Sequence, residues 1–172
     1  MKVVALLLTG GLLLAGCTQG ETEGEPPAAT PTPAAPQTSW SRRCVTAIDS
    51  LEQPLPETEA VLDAVALPTR PVLQANTTDR PDWLFAKFGL LVRANREVTL
   101  EVDPAAVEWG RIGWSDVDEA TLFTMPACAV TDSAWRAYAG GYYVRSGPRC
   151  LPLTVRAGDR TAQVRISVGV MC

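Results

Sequence analysis

The chain predicts an all-β fold, an antiparallel β-sandwich of about seven short strands that occupies residues 39–172. The main reason is a two-residue alternation of apolar and polar side chains, which is typical of strands with one buried face. Turn-forming residues separate the alternating segments. Few stretches of this region repeat at the helical period, so we expect little helix.

The first candidate elements of this region are short. Part of Val45–Leu51 is a strand candidate. Glu59–Leu67 is ambiguous, because its apolar residues also fit a short helix that Pro56 and Pro68 would confine. The sequence leaves that choice open.

Two longer segments follow. Trp83–Val92 is almost continuously apolar, which predicts a central strand covered on both sides. Glu97–Asp103 alternates, with its apolar residues on one face, and Pro104 ends it. Polar Arg93–Arg96 connects the two segments, and we therefore predict that they form a hairpin.

The C-terminal segment contains the clearest hairpin. Leu151–Val155 and Ala162–Val168 both alternate, and Ala157–Arg160 supplies a turn between them. Ala120–Thr124 and Tyr142–Arg145 are further strand candidates. The number and length of these strands predict an immunoglobulin-like sandwich.

The N-terminal segment differs in character from the domain. Lys2 precedes an apolar run, Val3–Ala15, that is too short to cross a bilayer as a helix, for which about 20 residues are needed. Leu14-Ala15-Gly16-Cys17 follows the lipobox pattern, so residues 1–16 resemble the signal peptide of bacterial lipoproteins. This resemblance implies cleavage before Cys17 and its lipidation. The alternative is an ordinary secretory signal in which Cys17 is incidental.

Residues 17–38 are rich in Pro, Ala, Thr and Glu and contain no large apolar side chain. Such a segment cannot bury enough surface to order itself, so we predict a disordered linker after the lipidated cysteine. The expected location is the extracytoplasmic face of the cell membrane. No second long apolar run follows, so we expect no transmembrane helix in the mature chain, and no basic block suggests a nucleic-acid partner.

Four cysteines lie in the predicted domain, and an even number in an exported domain predicts two disulfides with three possible pairings. We prefer Cys128–Cys150 with Cys44–Cys172, because the second bridge would join the two ends of the domain. A competing arrangement follows if the C-terminal hairpin is in register, since Cys150 and Cys172 would then lie at the same end of the sheet. Without histidine or a Cys-x-x-Cys motif, a zinc site is not expected.

Short motifs in the second half of the chain add a further comparison. They are Ile112-Gly113-Trp114, Pro126-Ala127-Cys128, Trp135, Tyr138, Gly140-Gly141-Tyr142, Cys150–Val155 and the terminal Gly169-x-x-Cys172. Together they resemble a group of secreted actinobacterial proteins with no assigned activity. The resemblance implies a small disulfide-bonded domain outside the membrane and transfers no catalytic residue.

The residue inventory argues against catalysis. The chain has no histidine, which removes the usual general base at neutral pH, and each domain cysteine has an expected partner. The carboxylates Glu57 and Glu59, and the group Asp116, Asp118 and Glu119, would suit glycoside chemistry or calcium only if brought together, and the second group lacks the order of a calcium loop. We expect solvated loop charges, no enzyme, no metal and no cofactor.

Aromatic residues give the better functional hint. Five tryptophans lie in the chain, and two of them flank a glycine-containing segment. On a sandwich, exposed rings can stack on sugars or anchor a protein partner. The candidate binding surface therefore consists of Trp109, Trp114, Trp135, Tyr138, Tyr142 and Tyr143. Alternatively these rings fill the core, with Trp83 the first expected to be buried.

The sequence thus predicts a membrane-anchored, extracytoplasmic lipoprotein whose domain binds an envelope protein or a cell-wall glycan without catalysis. Two alternatives remain: a hydrolytic or transfer enzyme that uses the acidic loops, and a purely structural envelope component. Exposed, clustered aromatic rings would favour binding, whereas two facing carboxylates in a cleft would favour an enzyme.

Overall fold

The computed structural model describes residues 39–41, 44, 47–115, 119–129 and 135–172. Fourteen strands and one short 3-10 helix, Pro104–Ala106, make up the regular structure of these residues, so the all-β prediction is confirmed. The strands are β1 (Ser39–Ser41), β2 (Asp49–Leu51), β3 (Glu59–Val61), β4 (Val65–Leu67), β5 (Asn76–Thr77), β6 (Trp83–Lys87), β7 (Leu90–Arg93), β8 (Val98–Val102), β9 (Gly110–Trp114), β10 (Leu122–Met125), β11 (Trp135–Tyr138), β12 (Gly140–Arg145), β13 (Arg149–Ala157) and β14 (Arg160–Val168).

The strands form three sheets. Sheet I has the order β1-β10-β8-β13-β14, sheet II the order β2-β11-β7-β4-β3, and sheet III the order β5-β6-β12-β9. Neighbouring strands are antiparallel except β1 and β10, which are parallel. The predicted number of about seven strands is too low, because several strands have only two or three residues and show no alternation in the sequence.

One continuous core connects the three sheets. Val98, Leu100 and Val102 of β8 are fully buried and alternate with half-buried residues, as the sequence predicts. They pack in the same cluster as Val65 of sheet II and Tyr142 of sheet III. The hydrophobic effect therefore acts across all three sheets at once.

The C-terminal hairpin is confirmed. β13 and β14 pair over nine residues with Leu153 opposite Val164, and Gly158-Asp159 forms the turn. Such a long register is fixed because a slip of one residue would expose every buried side chain.

The ambiguous segment Glu59–Leu67 is a hairpin, with β3 and β4 paired antiparallel. Leu62 and Asp63 occupy the turn with φ angles of 53° and 54°. Two consecutive residues at positive φ are typical of the type I′ turn that joins adjacent strands. The sequence does not show this turn, because Leu62 rarely adopts a positive φ, although Asp63 is a common residue in such turns.

The predicted hairpin between Trp83–Val92 and Glu97–Asp103 is wrong. The apolar segment divides at Phe88-Gly89, so that β6 belongs to sheet III and β7 to sheet II. Strands β4 and β11 occupy both edges of β7, which leaves no position there for β8. The chain passes instead into sheet I.

Two disulfides are present, but the preferred pairing is wrong. Cys44 pairs with Cys128 and Cys150 with Cys172, at Cα–Cα distances of 5.5 and 5.4 Å. The second bridge agrees with the competing arrangement, which followed from the hairpin register. Gly169 at φ 69° reverses the chain after β14 and returns Cys172 to the start of β13.

Candidate binding face

Four of the six predicted binding residues belong to the core instead. Trp114, Trp135, Tyr138 and Tyr142 are all buried, with at most 3% of their surface exposed. Trp114, Tyr138 and Tyr142 belong to the main core, and Trp135 packs in a second cluster with Ala66, Leu91 and Ala137. Because all four rings are enclosed, none can present its ring to a ligand. These four residues are removed from the candidate surface, whereas Trp109 and Tyr143 are half-buried.

Trp114 is the centre of the aromatic packing. Its indole Nε1 donates a hydrogen bond to the carbonyl oxygen of Phe88 at 2.9 Å. Its ring meets those of Phe123 and Tyr142 edge to face, with centroids 5.4 Å apart in both pairs. Such a satisfied, enclosed indole is a structural anchor of the core.

A different set of side chains covers the outer face of sheet III. Tyr143 of β12 lies between Phe85 of β6 and Arg111 of β9 in the strand register. Trp83 lies two residues before Phe85, and therefore on the same face. We call Arg80, Trp83, Phe85, Arg111 and Tyr143 the aromatic–arginine face.

Gly141 leaves the space beside its strand that the Phe85 ring occupies, because a Cβ atom there would lie 2.7 Å from that ring. A Cβ atom at Gly141 would clash with the carbonyl oxygen of Ala86 on the neighbouring strand. Glycine is therefore required at this position, one residue before the buried Tyr142 and two before the outward Tyr143.

Ring and guanidinium contacts organise the aromatic–arginine face. The Phe85 and Tyr143 rings lie 4.6 Å apart at an angle of 35°. The Arg80 guanidinium lies 4.2 Å from the centroid of the Trp83 ring, and that of Arg111 lies 5.7 Å from it. These cation–π contacts hold both cations against the aromatic surface.

Charged groups line a groove within this face. Arg80, Arg111, Glu119 and Tyr143 surround an open volume of about 370 Å³. A second depression of about 380 Å³ adjoins it, and both Arg80 and Trp83 line it. The two volumes share Arg80, so a bound chain could contact both.

Electrostatic contacts fix the two cations of the groove. Arg80 forms an ion pair with Glu119. Arg111 donates to the carbonyl oxygens of Val107 and Gly110, the latter at 2.7 Å. Desolvation lowers the pKa of Arg111, while Glu119 and Glu108 act in the opposite direction. Arginine remains charged at neutral pH, so the groove offers two oriented donors and one carboxylate.

Trp109 lies apart from the groove contacts. The Arg149 guanidinium lies 4.8 Å from its ring, and its carbonyl oxygen accepts a hydrogen bond from Arg145 N at 2.8 Å. Trp109 and Trp114 therefore do not form one exposed pair. Trp83 is half-buried and belongs to the outer face, although we expected it to be the first tryptophan in the core.

Sequence reasoning missed Arg80, Trp83, Phe85 and Arg111. The signal was present in Trp83-Leu84-Phe85-Ala86, where aromatic and aliphatic residues alternate. In a strand this alternation places both aromatic rings on the same side. The continuous apolar character of the segment obscured it.

The predicted carboxylate groups form no metal-ligand cluster in the part of the chain that the structure describes. Glu57 and Glu59 are exposed, and Glu59 accepts a hydrogen bond from Thr69 Oγ1 at 2.7 Å. Asp116 and Asp118 lie outside the described residues. Among residues that are described, no three His, Cys, Asp or Glu side chains form a metal-ligand cluster.

The comparisons with known proteins add no identification. No family model matches the chain, and neither a curated protein nor a solved structure gives a significant match. Cys17, the signal-like residues 1–16 and the linker 17–38 lie outside the described residues, so the lipoprotein resemblance stays a prediction. No helix in the described ranges is long and apolar enough to span a membrane.

Proposed function

We propose that the domain is a non-catalytic binding module that recognises a cell-wall glycan through the aromatic–arginine face. The supporting observation is the row of half-buried aromatic residues beside two oriented guanidinium groups and the Glu119 carboxylate. Aromatic faces pack on the apolar faces of sugar rings, while charged donors and acceptors bind hydroxyl groups.

A glycan suits this face better than a folded protein does. The groove is open and its lining is largely charged, whereas a protein interface centres on a desolvated apolar core. Among the side chains that the structure describes, the large apolar ones that are exposed lie elsewhere; they are Ile48, Leu55, Val72, Val170 and Met171. The proposed ligand is therefore a polar, ring-containing chain.

The first experiment measures binding of the full chain to purified cell-wall polysaccharide by co-sedimentation. The double variant Trp83→Ala/Tyr143→Ala removes two rings of the face, and we expect at least about tenfold weaker binding. Trp109→Ala is the matched control, because it removes a half-buried ring outside the groove. Equal binding by all three proteins would exclude this face, and failure of the parent protein to sediment with the polysaccharide would contradict a glycan ligand.

The same proposal includes a location. Lipidated Cys17 would hold the module at the extracytoplasmic face of the membrane, and residues 17–38 would act as its tether. We expect Cys17→Ala to transfer the protein from the membrane fraction to the soluble fraction, because it removes the residue that would carry two or three acyl chains, which are enough for stable anchoring. Retention of the variant in the detergent-soluble membrane fraction would contradict lipidation at this residue.

A further inference from the structure

Strand β14 leaves one edge of sheet I open. It is the last strand in the sheet order, and its nine residues pair with β13 on one side. On the other side, a single bridge joins Val168 to Leu73 near the strand end. We call Thr161, Gln163 and Arg165 the open edge.

The direction of the backbone groups on β14 follows from that bridge. Leu73 N donates to the carbonyl oxygen of Ser167 at 2.8 Å, so the backbone of Ser167 points away from β13. Backbone groups alternate in direction along a strand, and those of the open edge therefore also point away from β13.

Pro152 gives an independent check. It lies opposite Arg165, has no N–H group, and its carbonyl oxygen accepts from Asp103 N on the other side of β13 at 3.1 Å. Pro152 and Arg165 therefore form no backbone hydrogen bond with each other, and the N–H and C=O groups of Arg165 face outward. Within the described residues, no backbone hydrogen bond joins the open edge to another segment.

We infer that the open edge binds an extended acidic peptide by β-strand addition. The three residues present three N–H and three C=O groups at the spacing that a peptide strand requires. Unpaired groups of this kind are a template for an incoming strand. This edge belongs to sheet I, so the inference is independent of the aromatic–arginine face on sheet III.

Charge determines which partner the edge accepts. The exposed residues of β14 are Arg160, Thr161, Gln163 and Arg165, with two cations and no acid. A peptide with Glu or Asp opposite Arg165 would form an opposite-charge cross-strand pair, which a second copy of β14 cannot supply because that strand carries no acid. The edge therefore disfavours self-association and favours an acidic partner.

The two faces of β14 favour different types of side chain at alternating positions of a bound peptide. Half-buried Ala162 and Val164 pack against the core on one side and offer apolar contacts to the neighbouring strand. On the other side, the exposed residues Gln163 and Arg165 border an open volume of about 380 Å³, which is also lined by Asp103, Pro152, Leu153 and Val164. The expected peptide alternates apolar and acidic residues.

The test uses the full chain in detergent and a capped peptide of about nine alternating valine and glutamate residues. We expect the peptide to shift the amide resonances of the open edge in NMR spectra of the isotope-labelled protein. A matched peptide with lysine in place of glutamate is expected to bind at least about tenfold more weakly.

Two variants separate the backbone from the charge contribution. Gln163→Pro and Gln163→Ala both lose the glutamine side chain, but only the proline variant also loses the outward N–H, so we expect it to bind the glutamate peptide about tenfold more weakly than the alanine variant does. Arg165→Glu should make the lysine peptide bind more tightly than the glutamate peptide. This variant tests the inference if the proline variant does not fold. Absence of shifts at the open edge, equal binding of both peptides, or concentration-dependent dimerisation through β14 would each overturn the inference.

Discussion

Two neighbouring rings in the core, Trp114 and Tyr142, differ in how their polar atoms are satisfied. Both are fully buried, and their rings meet edge to face. Trp114 Nε1 donates to Phe88 O, whereas the Tyr142 hydroxyl has no hydrogen-bond partner among the described residues. Burial raises the pKa of Tyr142, so the hydroxyl remains neutral. Tyr142 therefore contributes through its ring, while its hydroxyl loses hydration without compensation.

Replacing Tyr142 with Phe is expected to leave the free energy of unfolding unchanged or to raise it by up to about 1 kcal/mol, because only the desolvated hydroxyl is removed. Urea unfolding of the purified protein measures the effect. Trp114→Phe is the matched control in the same cluster, and we expect it to lose about 2–4 kcal/mol, since it leaves a cavity and orphans the Phe88 carbonyl. A loss above about 1 kcal/mol in the Tyr142 variant would show that its hydroxyl has a partner.

At the scale of the elements, a proline in a central strand explains where β8 ends. Pro152 lies in β13, which pairs with β8 on one side and β14 on the other. Because Pro152 has no N–H, the carbonyl oxygen of Asp103 receives no bond from it and accepts from Ala106 N at 2.8 Å instead. The Asp103 side chain also accepts from Ala105 N at 2.9 Å. The missing ladder bond thus allows the 3-10 helix to begin directly after the strand.

At the scale of the elements, the sequence predicts some strands well but does not predict how others pair. Strands with an open outer face, such as β8 and the β13–β14 hairpin, alternate and are therefore visible. The division of Trp83–Val92 between two sheets is not visible, because strand pairing depends on which edges are already occupied. The turn at Leu62-Asp63 is equally hidden, since its first residue, Leu62, is of a type that rarely adopts a positive φ.

For the whole molecule, the periodicity of the sequence predicts the class of fold, whereas the location of a site requires the structure. The all-β class and the two-bridge framework follow from period and cysteine number. The candidate face does not, because burial of Trp114 and exposure of Phe85 depend on which side of sheet III meets the core. Tyr143 alone among the predicted residues lies on that face, and its strand position, not its aromatic type, is the reason.

The two disulfides constrain the whole chain to different extents. Cys44–Cys128 spans 84 positions and joins the first part of the domain to the segment before β11, whereas Cys150–Cys172 spans 22 and closes the C-terminal hairpin. In the chain-entropy account, a longer loop removes more freedom from the unfolded state. The longer bridge should therefore stabilise the fold more, although each has the same chemistry.

We expect Cys44→Ser/Cys128→Ser to lower the free energy of unfolding by about 4–5 kcal/mol, and Cys150→Ser/Cys172→Ser to lower it by about 3 kcal/mol. Urea unfolding of the two double variants beside the parent measures this order directly. Each variant is the control for the other, because both replace two cysteines by serines and leave one bridge intact. The reverse order would mean that the short bridge stabilises the native state itself, since Cys172 N also donates to Ser167 Oγ at 3.0 Å and would lose its position with the bridge.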